Sequence, residues 1–176
     1  MTVLAGPFAI ATTVLALGGA LKALDPADTA HALTALGLPG GRVLVRIGGA
    51  IEAVVAIGAL VTGNAVLAAI VAASYVAFAV VVTIALRSGK PISSCGCLGK
   101  IDTPPSLVHV AVDLVCAAVA VGAAVAATNE IAVPDVLADQ PLLGIPFLLL
   151  VAVGTGLVLL ALTALPKTLA AARAVR

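Results

Sequence analysis

The sequence predicts an all-α, polytopic membrane helix bundle. Of its 176 residues, 62% are hydrophobic and only 10% are charged, and the mean hydropathy is +1.28. A soluble domain of ordinary composition carries about 25% charged residues. Five apolar stretches are each long enough to cross a bilayer, which takes about 20 residues of helix. Because five spans use most of the chain, we expect a single integral membrane domain over residues 1–176.

The first span is expected at about residues 3–24. Its apolar stretch has no charged side chain before Lys22, and Asp25-Pro26 follows directly, a combination that ends helices. No Lys or Arg precedes the stretch, which argues against a cleaved signal peptide. We therefore expect this helix to stay in the protein.

The second span is expected at about residues 42–62, after a polar connection, and carries Arg46 and Glu52 inside its apolar stretch. Small residues at four-residue spacing allow a neighbouring helix to approach closely. The second span has two such sets: Gly48, Glu52 and Ala56, in which Glu52 is the middle position, and Gly49 with Ala53.

The last three spans are marked by local signals at their ends. Gly63-Asn64 is a tight-turn sequence, so the third span is expected at about 65–87. The fourth, at about 106–128, follows two prolines and has Ser106 available as its N-cap. The fifth, at about 142–165, carries no charge and ends before Pro166-Lys167.

The positive charges predict the orientation in the membrane, because basic residues in short connections are retained on the cytoplasmic side. The nine Lys and Arg residues all fall at connections on one face of the predicted bundle. We therefore predict a cell-membrane protein with the N-terminus outside and the cysteine-containing loop and the C-terminus in the cytoplasm. The basic residues are Lys22, Arg42, Arg46, Arg87, Lys90, Lys100, Lys167, Arg173 and Arg176.

The connection at 88–105, here called the cysteine loop, contains Cys95-Gly96-Cys97. Two cysteines at positions i and i+2 can bridge only if the chain folds back, and Gly96 supplies the conformational freedom for it. Such a disulfide would be strained and therefore readily exchanged, which suits a redox catalyst better than a structural crosslink. Lys90 and Lys100 nearby would favour the reactive thiolate.

Several polar side chains lie within the predicted spans, in the half of the bilayer nearer the cysteine loop. His109, Asp113 and Cys116 are spaced i, i+4, i+7 and so share one helix face, expected to point into the bundle. Glu52 and Asp113 must be protonated, paired or in a wet cavity, since a lone charge in the bilayer is costly. Arg46 is the expected partner. Lys22 either joins this site or extends to the interface. The simpler alternatives for the other two are structural: His109 would be an interfacial polar residue and Cys116 a small core residue.

Three segments together resemble the methylamine utilisation protein MauE family, which is related to the DoxX-like membrane proteins. The resemblance covers roughly the first 125 residues, and Leu98 stands where family members often have Phe. It implies a four-helix core, here followed by a fifth C-terminal transmembrane helix, and a role in maturation or disulfide handling of exported proteins, often beside a thioredoxin-like partner. It does not imply methylamine as a substrate. The segments are Gly-Gly-Ala-Leu-Lys-Ala-Leu-Asp-Pro (18–26), Ile-Glu-Ala-Val-Val-Ala (51–56) and Ser-Cys-Gly-Cys-Leu-Gly-Lys (94–100).

The first functional hypothesis is a membrane thiol–disulfide oxidoreductase or maturation factor in which Cys95 and Cys97 cycle between dithiol and disulfide. Its electron partner would be a thioredoxin-like protein or a membrane quinone. Four further residues would tune thiol acidity or accept protons: Lys22, Arg46, Glu52 and Asp113.

Two alternatives stay open. Thiolates favour Cu(I) and Zn²⁺, so a soft-metal binding or transport protein could use Cys95 and Cys97 with His109 or Cys116. A structural subunit of a larger membrane complex would need none of these thiols. The net charge of +1 gives no basis for nucleic-acid binding, and signatures of nucleotide binding, serine hydrolysis or metalloproteases are absent from the sequence.

Overall fold

The computed structural model describes residues 3–89, 103–126, 132–139 and 144–168, and within these ranges it contains helices and no strand. Five of the helices are long and apolar enough to cross a membrane, namely α1, α3, α4, α5 and α7, which confirms the predicted all-α membrane class. The helices are α1 (Ala5–Leu24), α2 (Ala27–Ala35), α3 (Arg42–Thr62), α4 (Ala65–Ser88), α5 (Leu107–Ala126), α6 (Val133–Asp139) and α7 (Gly144–Thr163).

The short helices α2 and α6 were not predicted, because both lie in stretches interpreted as polar connections. Each begins with a proline in or next to its first turn, where the missing N–H costs nothing. Each also has an acidic residue in that turn, Asp28 in α2 and Asp135 in α6, where the helix dipole favours negative charge. Neither helix is long enough to show the apolar periodicity on which the sequence prediction depended.

The boundaries of the long helices follow their capping residues. Helix α1 ends at Leu24, directly before Asp25-Pro26, as predicted. Gly63 ends α3 with φ 60, a left-handed conformation that glycine adopts without strain. Asn64 then caps α4, because its Oδ1 accepts hydrogen bonds from the backbone N–H of Val66 at 2.8 Å and of Leu67 at 3.3 Å.

Helix α1 is the most buried of the five long helices and contacts α3, α5 and α7, while α4 packs along α5. Successive long helices run in opposite directions. As a result α1, α4 and α7 end where α3 and α5 begin, and we call this side the Lys22 end of the bundle. The exposed side chains of the long helices are largely Leu, Val and Ile, as contact with lipid requires.

A close glycine contact joins α1 to α3. A Cβ atom placed on Gly19 would lie 2.6 Å from the carbonyl oxygen of Gly49, and one placed on Gly49 would lie 2.6 Å from that of Gly19. No side chain fits at such distances, so glycine at both positions lets the two backbones touch. The predicted close approach at Gly49 is therefore observed, whereas a Cβ on the neighbouring Gly48 would meet nothing within 4 Å.

Candidate functional site: a buried ion pair at the Lys22 end

Lys22 of α1 and Glu52 of α3 form an ion pair inside the bundle. Their side chains are 4% and 20% exposed, so the pair is largely shielded from both lipid and water. The Lys22 ammonium also lies 4.1 Å from the ring centroid of Phe78 on α4, a favourable cation–π distance. Three helices thus contribute to this cluster: α1 and α3 provide the charges, and α4 provides the aromatic ring.

The antiparallel arrangement of α1 and α3 explains why these two side chains meet. In a helix the Cα–Cβ bonds tilt toward the N-terminus. Lys22 lies in the last turn of α1, so its side chain is directed away from the nearby helix end and into the bundle. Glu52 lies midway along α3 and is directed back toward the Lys22 end. The two side chains therefore converge, and Lys22 does not extend to the membrane interface.

Gly19 provides the space that Glu52 occupies. A Cβ atom on Gly19 would lie only 3.0 Å from the Cβ of Glu52, closer than two side chains normally approach. The α1 and α3 backbones approach so closely that no side chain fits at Gly19, and the same approach places the Glu52 stem against α1. The glycine contact and the ion pair therefore depend on each other.

Arg46, the expected partner of the buried carboxylates, does not pair with Glu52. Its side chain is exposed, and its Nε donates a hydrogen bond to the backbone carbonyl of Ala23, at 3.1 Å. Residues six apart on a helix lie on different faces, since only i+3 and i+4 neighbours face each other. Arg46 instead satisfies a carbonyl in the last turn of α1, where a positive charge is also favoured by the helix dipole.

The predicted polar face of α5 is buried, as expected. His109 is 0% exposed, Asp113 4% and Cys116 7%. A small cavity of about 20 Å³ is lined by both Asp113 and Lys22, and a space of this size can hold one water molecule. The fourth span therefore contributes Asp113 to the region of the ion pair.

His109 is held by two hydroxyl groups that precede α5. Its Nδ1 lies 2.8 Å from Ser106 Oγ, and its Nε2 lies 3.3 Å from Thr103 Oγ1. Thr103 is 1% exposed and donates a hydrogen bond to the backbone carbonyl of Leu162 on α7, at 2.9 Å. The residues that lead into α5 are thus anchored inside the bundle, and His109 is an internal rather than an interfacial residue.

The structure argues against His109 and Cys116 as ligands of the same metal ion. His109 and Cys116 are seven residues apart on one helix, about 10 Å along its axis, whereas ligands of one zinc or copper ion lie about 2 Å from it. Both ring nitrogens of His109 have hydroxyl neighbours. In the described part of the chain no group of three or more His, Cys, Asp or Glu residues could hold a metal ion. Cys116 lies in the buried cluster that contains Tyr75, consistent with a core role.

Two aromatic residues of the site were not predicted. Phe78 covers the Lys22 ammonium, and Tyr75 contacts Phe78 edge to face with ring centroids 6.1 Å apart. The Tyr75 hydroxyl donates a 2.6 Å hydrogen bond to the backbone carbonyl of Ala11, which ties α4 to α1. The sequence feature that could have pointed to these two residues is their rarity, since the chain has one Tyr and three Phe.

Cys95 and Cys97, predicted as the redox pair, lie outside the described residues.

Comparison with known proteins identifies one relationship. Residues 1–128 match the family described as Methylamine utilisation protein MauE. This range spans α1 to α5 and includes Lys22, Glu52 and Asp113 as well as both cysteines of the loop; α6 and α7 lie beyond it. No curated protein and no solved structure matches the chain.

Proposed function

Because the chain belongs to the MauE family of membrane proteins, we propose that it is an integral membrane thiol–disulfide redox factor. Cys95 and Cys97 are the exchanging thiols, and a thioredoxin-like protein is the partner. Lys22, Glu52 and Asp113 supply charge and proton-binding capacity next to the reaction. Arg46 has a supporting role, since it caps α1 rather than joining the ion pair.

The observation that carries this proposal is the Lys22–Glu52 ion pair buried at the end of the bundle where the cysteine loop is attached. Ionised groups are costly within a bilayer and are usually retained for function. The glycine contact between α1 and α3 and the Phe78 ring beside the ammonium both hold this pair in place.

Chain connectivity supports a location of the thiols near this cluster. Gly89, after α4, and Thr103, before α5, bound the loop on the Lys22 end. Cys95 lies six positions after Gly89, and Thr103 lies six positions after Cys97, so each cysteine is at most about 20 Å of extended chain from a described residue. Since Thr103 is hydrogen-bonded to α7 inside the bundle, the loop leads directly into the buried region.

The chemistry is an exchange between two disulfide couples. A thiolate of a reduced partner attacks the Cys95–Cys97 disulfide and forms a mixed disulfide. The second thiol of the partner then releases it, so that the partner becomes oxidised and Cys95 and Cys97 become a dithiol. The reverse sequence reduces the partner, and the relative reduction potentials decide the direction.

Trapping of the mixed disulfide tests the proposal. The purified full-length protein in detergent is mixed with a reduced thioredoxin whose second active-site cysteine is replaced by serine. We expect a covalent complex with the wild-type protein, resolved by non-reducing electrophoresis and lost on reduction. Cys116→Ser is the matched control, because Cys116 is buried, and should form the same complex.

The variants identify the reacting thiols. A Cys95→Ser, Cys97→Ser double variant should form no complex, while its thermal unfolding in detergent should match that of the wild type. Absence of a complex with the wild-type protein would contradict the proposal and favour a structural subunit. Stoichiometric Cu(I) or Zn²⁺ bound through the two thiols would favour the metal alternative.

A further inference from the structure

A cavity of about 300 Å³ lies beside the ion pair, between α1, α2, α3 and α4. Its walls are mainly apolar, and Phe78 and Val81 of α4 form one side. Gly48 of α3 forms part of the other side and leaves it open, because it has no side chain. The polar groups of Lys22 and Glu52 lie at the cavity wall.

Two residues that line the cavity are exposed on helices long enough to span the membrane. Leu44 on α3, a lining residue, is 55% exposed, and Ala77 on α4 is also exposed. Both helices are of membrane-spanning length and composition. A ligand that enters here comes from the lipid phase, and a volume near 300 Å³ is at the small end of ligand pockets. It accommodates a ring-sized head group whose apolar tail remains among the lipids.

The charge of the site selects the type of ligand. Lys22 and Glu52 neutralise each other, so the cavity offers no net charge to recruit a phosphate or a carboxylate. The ammonium has three N–H donors and no acceptor, and can donate to a ligand oxygen while it stays paired with Glu52. The Phe78 ring provides a flat apolar surface beside it. An uncharged, lipid-soluble ring that carries carbonyl oxygens has the required properties.

We propose that this cavity binds the head group of a membrane quinone, with one carbonyl oxygen accepting a hydrogen bond from Lys22. The role as an electron acceptor rests on the proposed function, but the binding does not. In the redox step the dithiol of Cys95 and Cys97 loses two electrons and two protons and forms a disulfide. The quinone gains two electrons and two protons and becomes the hydroquinone. The Glu52 carboxylate can accept a proton released by the dithiol and pass it to the reduced oxygen.

The protein contains its own reporter for this binding. Tyr75 is the only tyrosine and the chain has no tryptophan, and Tyr75 contacts Phe78 of the cavity wall. Quinones quench tyrosine emission at short range. Titration of the full-length protein in lipid vesicles that contain no other protein, with decylubiquinone as the ligand, should therefore give saturable quenching of the Tyr75 fluorescence.

Two variants locate the site. Gly48→Leu fills the cavity without meeting the backbone, since a Cβ there has nothing within 4 Å, and should abolish the saturable quenching. Gly156→Leu is the matched control, because Gly156 on α7 is equally open and does not line the cavity; it should bind as the wild type does. Glu52→Gln should weaken binding by about tenfold, the effect of one disturbed polar contact.

The outcomes separate the two proposals. Unchanged quenching in Gly48→Leu would overturn the quinone site, and so would equal displacement of the quinone by decanol, which would identify an acyl chain as the occupant. The Cys95→Ser, Cys97→Ser variant should bind decylubiquinone normally. If it does while no mixed disulfide can be trapped with the wild type, the thiol function fails and the quinone site stands.

Discussion

Gly49 of α3 faces Lys22 of α1 so closely that a Cβ atom on the glycine would lie 2.8 Å from the Cβ of the lysine. Across the antiparallel pair, Gly19 and Glu52 have the same relationship. Each helix thus presents a glycine to the charged residue of the other, and the two charged side chains meet between them. The helix contact and the candidate site are consequently one structural unit, and a change in either should affect both.

Gly49→Ala should destabilise the protein by about 1–3 kcal/mol, the usual cost of forcing an extra group into a packed contact. The added methyl would collide with the Gly19 carbonyl oxygen and the Lys22 stem. Thermal unfolding in detergent measures the effect. Gly48→Ala is the control, since its Cβ meets nothing within 4 Å, and equal melting temperatures for the two variants would contradict the close contact.

The ion pair should show strong coupling between its members. Lys22→Met leaves Glu52 buried without its partner, and we expect a loss of about 3 kcal/mol in the free energy of unfolding. Replacement of both residues, as Lys22→Met with Glu52→Leu, should recover part of this loss because no unpaired charge remains. A double-mutant cycle in a denaturant titration measures the coupling. If the two single effects simply add, the pair does not interact as the structure indicates.

Thr103→Val should cost about 1–2 kcal/mol of stability, because it removes a buried donor to the Leu162 carbonyl and a hydroxyl neighbour of His109. Thr163→Val is the matched control: its hydroxyl donates to the backbone carbonyl of Leu159 in its own helix and joins no second helix in the described part of the chain, so its removal should have a small effect. Unfolding midpoints of the two variants in one detergent give the comparison. A larger loss for Thr163→Val would exclude the anchoring role of Thr103.

The predicted orientation can be tested by labelling in intact cells. In a Cys116→Ala background, a membrane-impermeant maleimide should react with Cys95 and Cys97 only after the cells are opened, because the distribution of positive charges predicts a cytoplasmic cysteine loop. Cells are treated with reductant beforehand, so that a disulfide does not hide the thiols. Asp135→Cys, in a variant without the other cysteines, marks the opposite end of the bundle and should be labelled from outside. Labelling of the loop cysteines in intact cells would reverse the orientation.

Much of the fold was predictable because it depends on local properties. Length and hydropathy defined five spans, and the described helices follow them within a few residues. Gly63-Asn64 ends one helix and caps the next through contacts a few residues apart. The common face of His109, Asp113 and Cys116 follows from helical periodicity alone, and their burial agrees with it.

Only the tertiary structure decided which polar groups meet. Helical spacing within α3 could show that Arg46 and Glu52 share a helix, but not that Lys22 approaches from α1. That pairing depends on the direction and register of two helices, which the contact between Gly19 and Gly49 sets. The same holds for Thr103, whose partners His109 and Leu162 belong to different helices. Hydropathy and periodicity are properties of one segment, whereas an ion pair in a membrane bundle is selected by the relative placement of two segments.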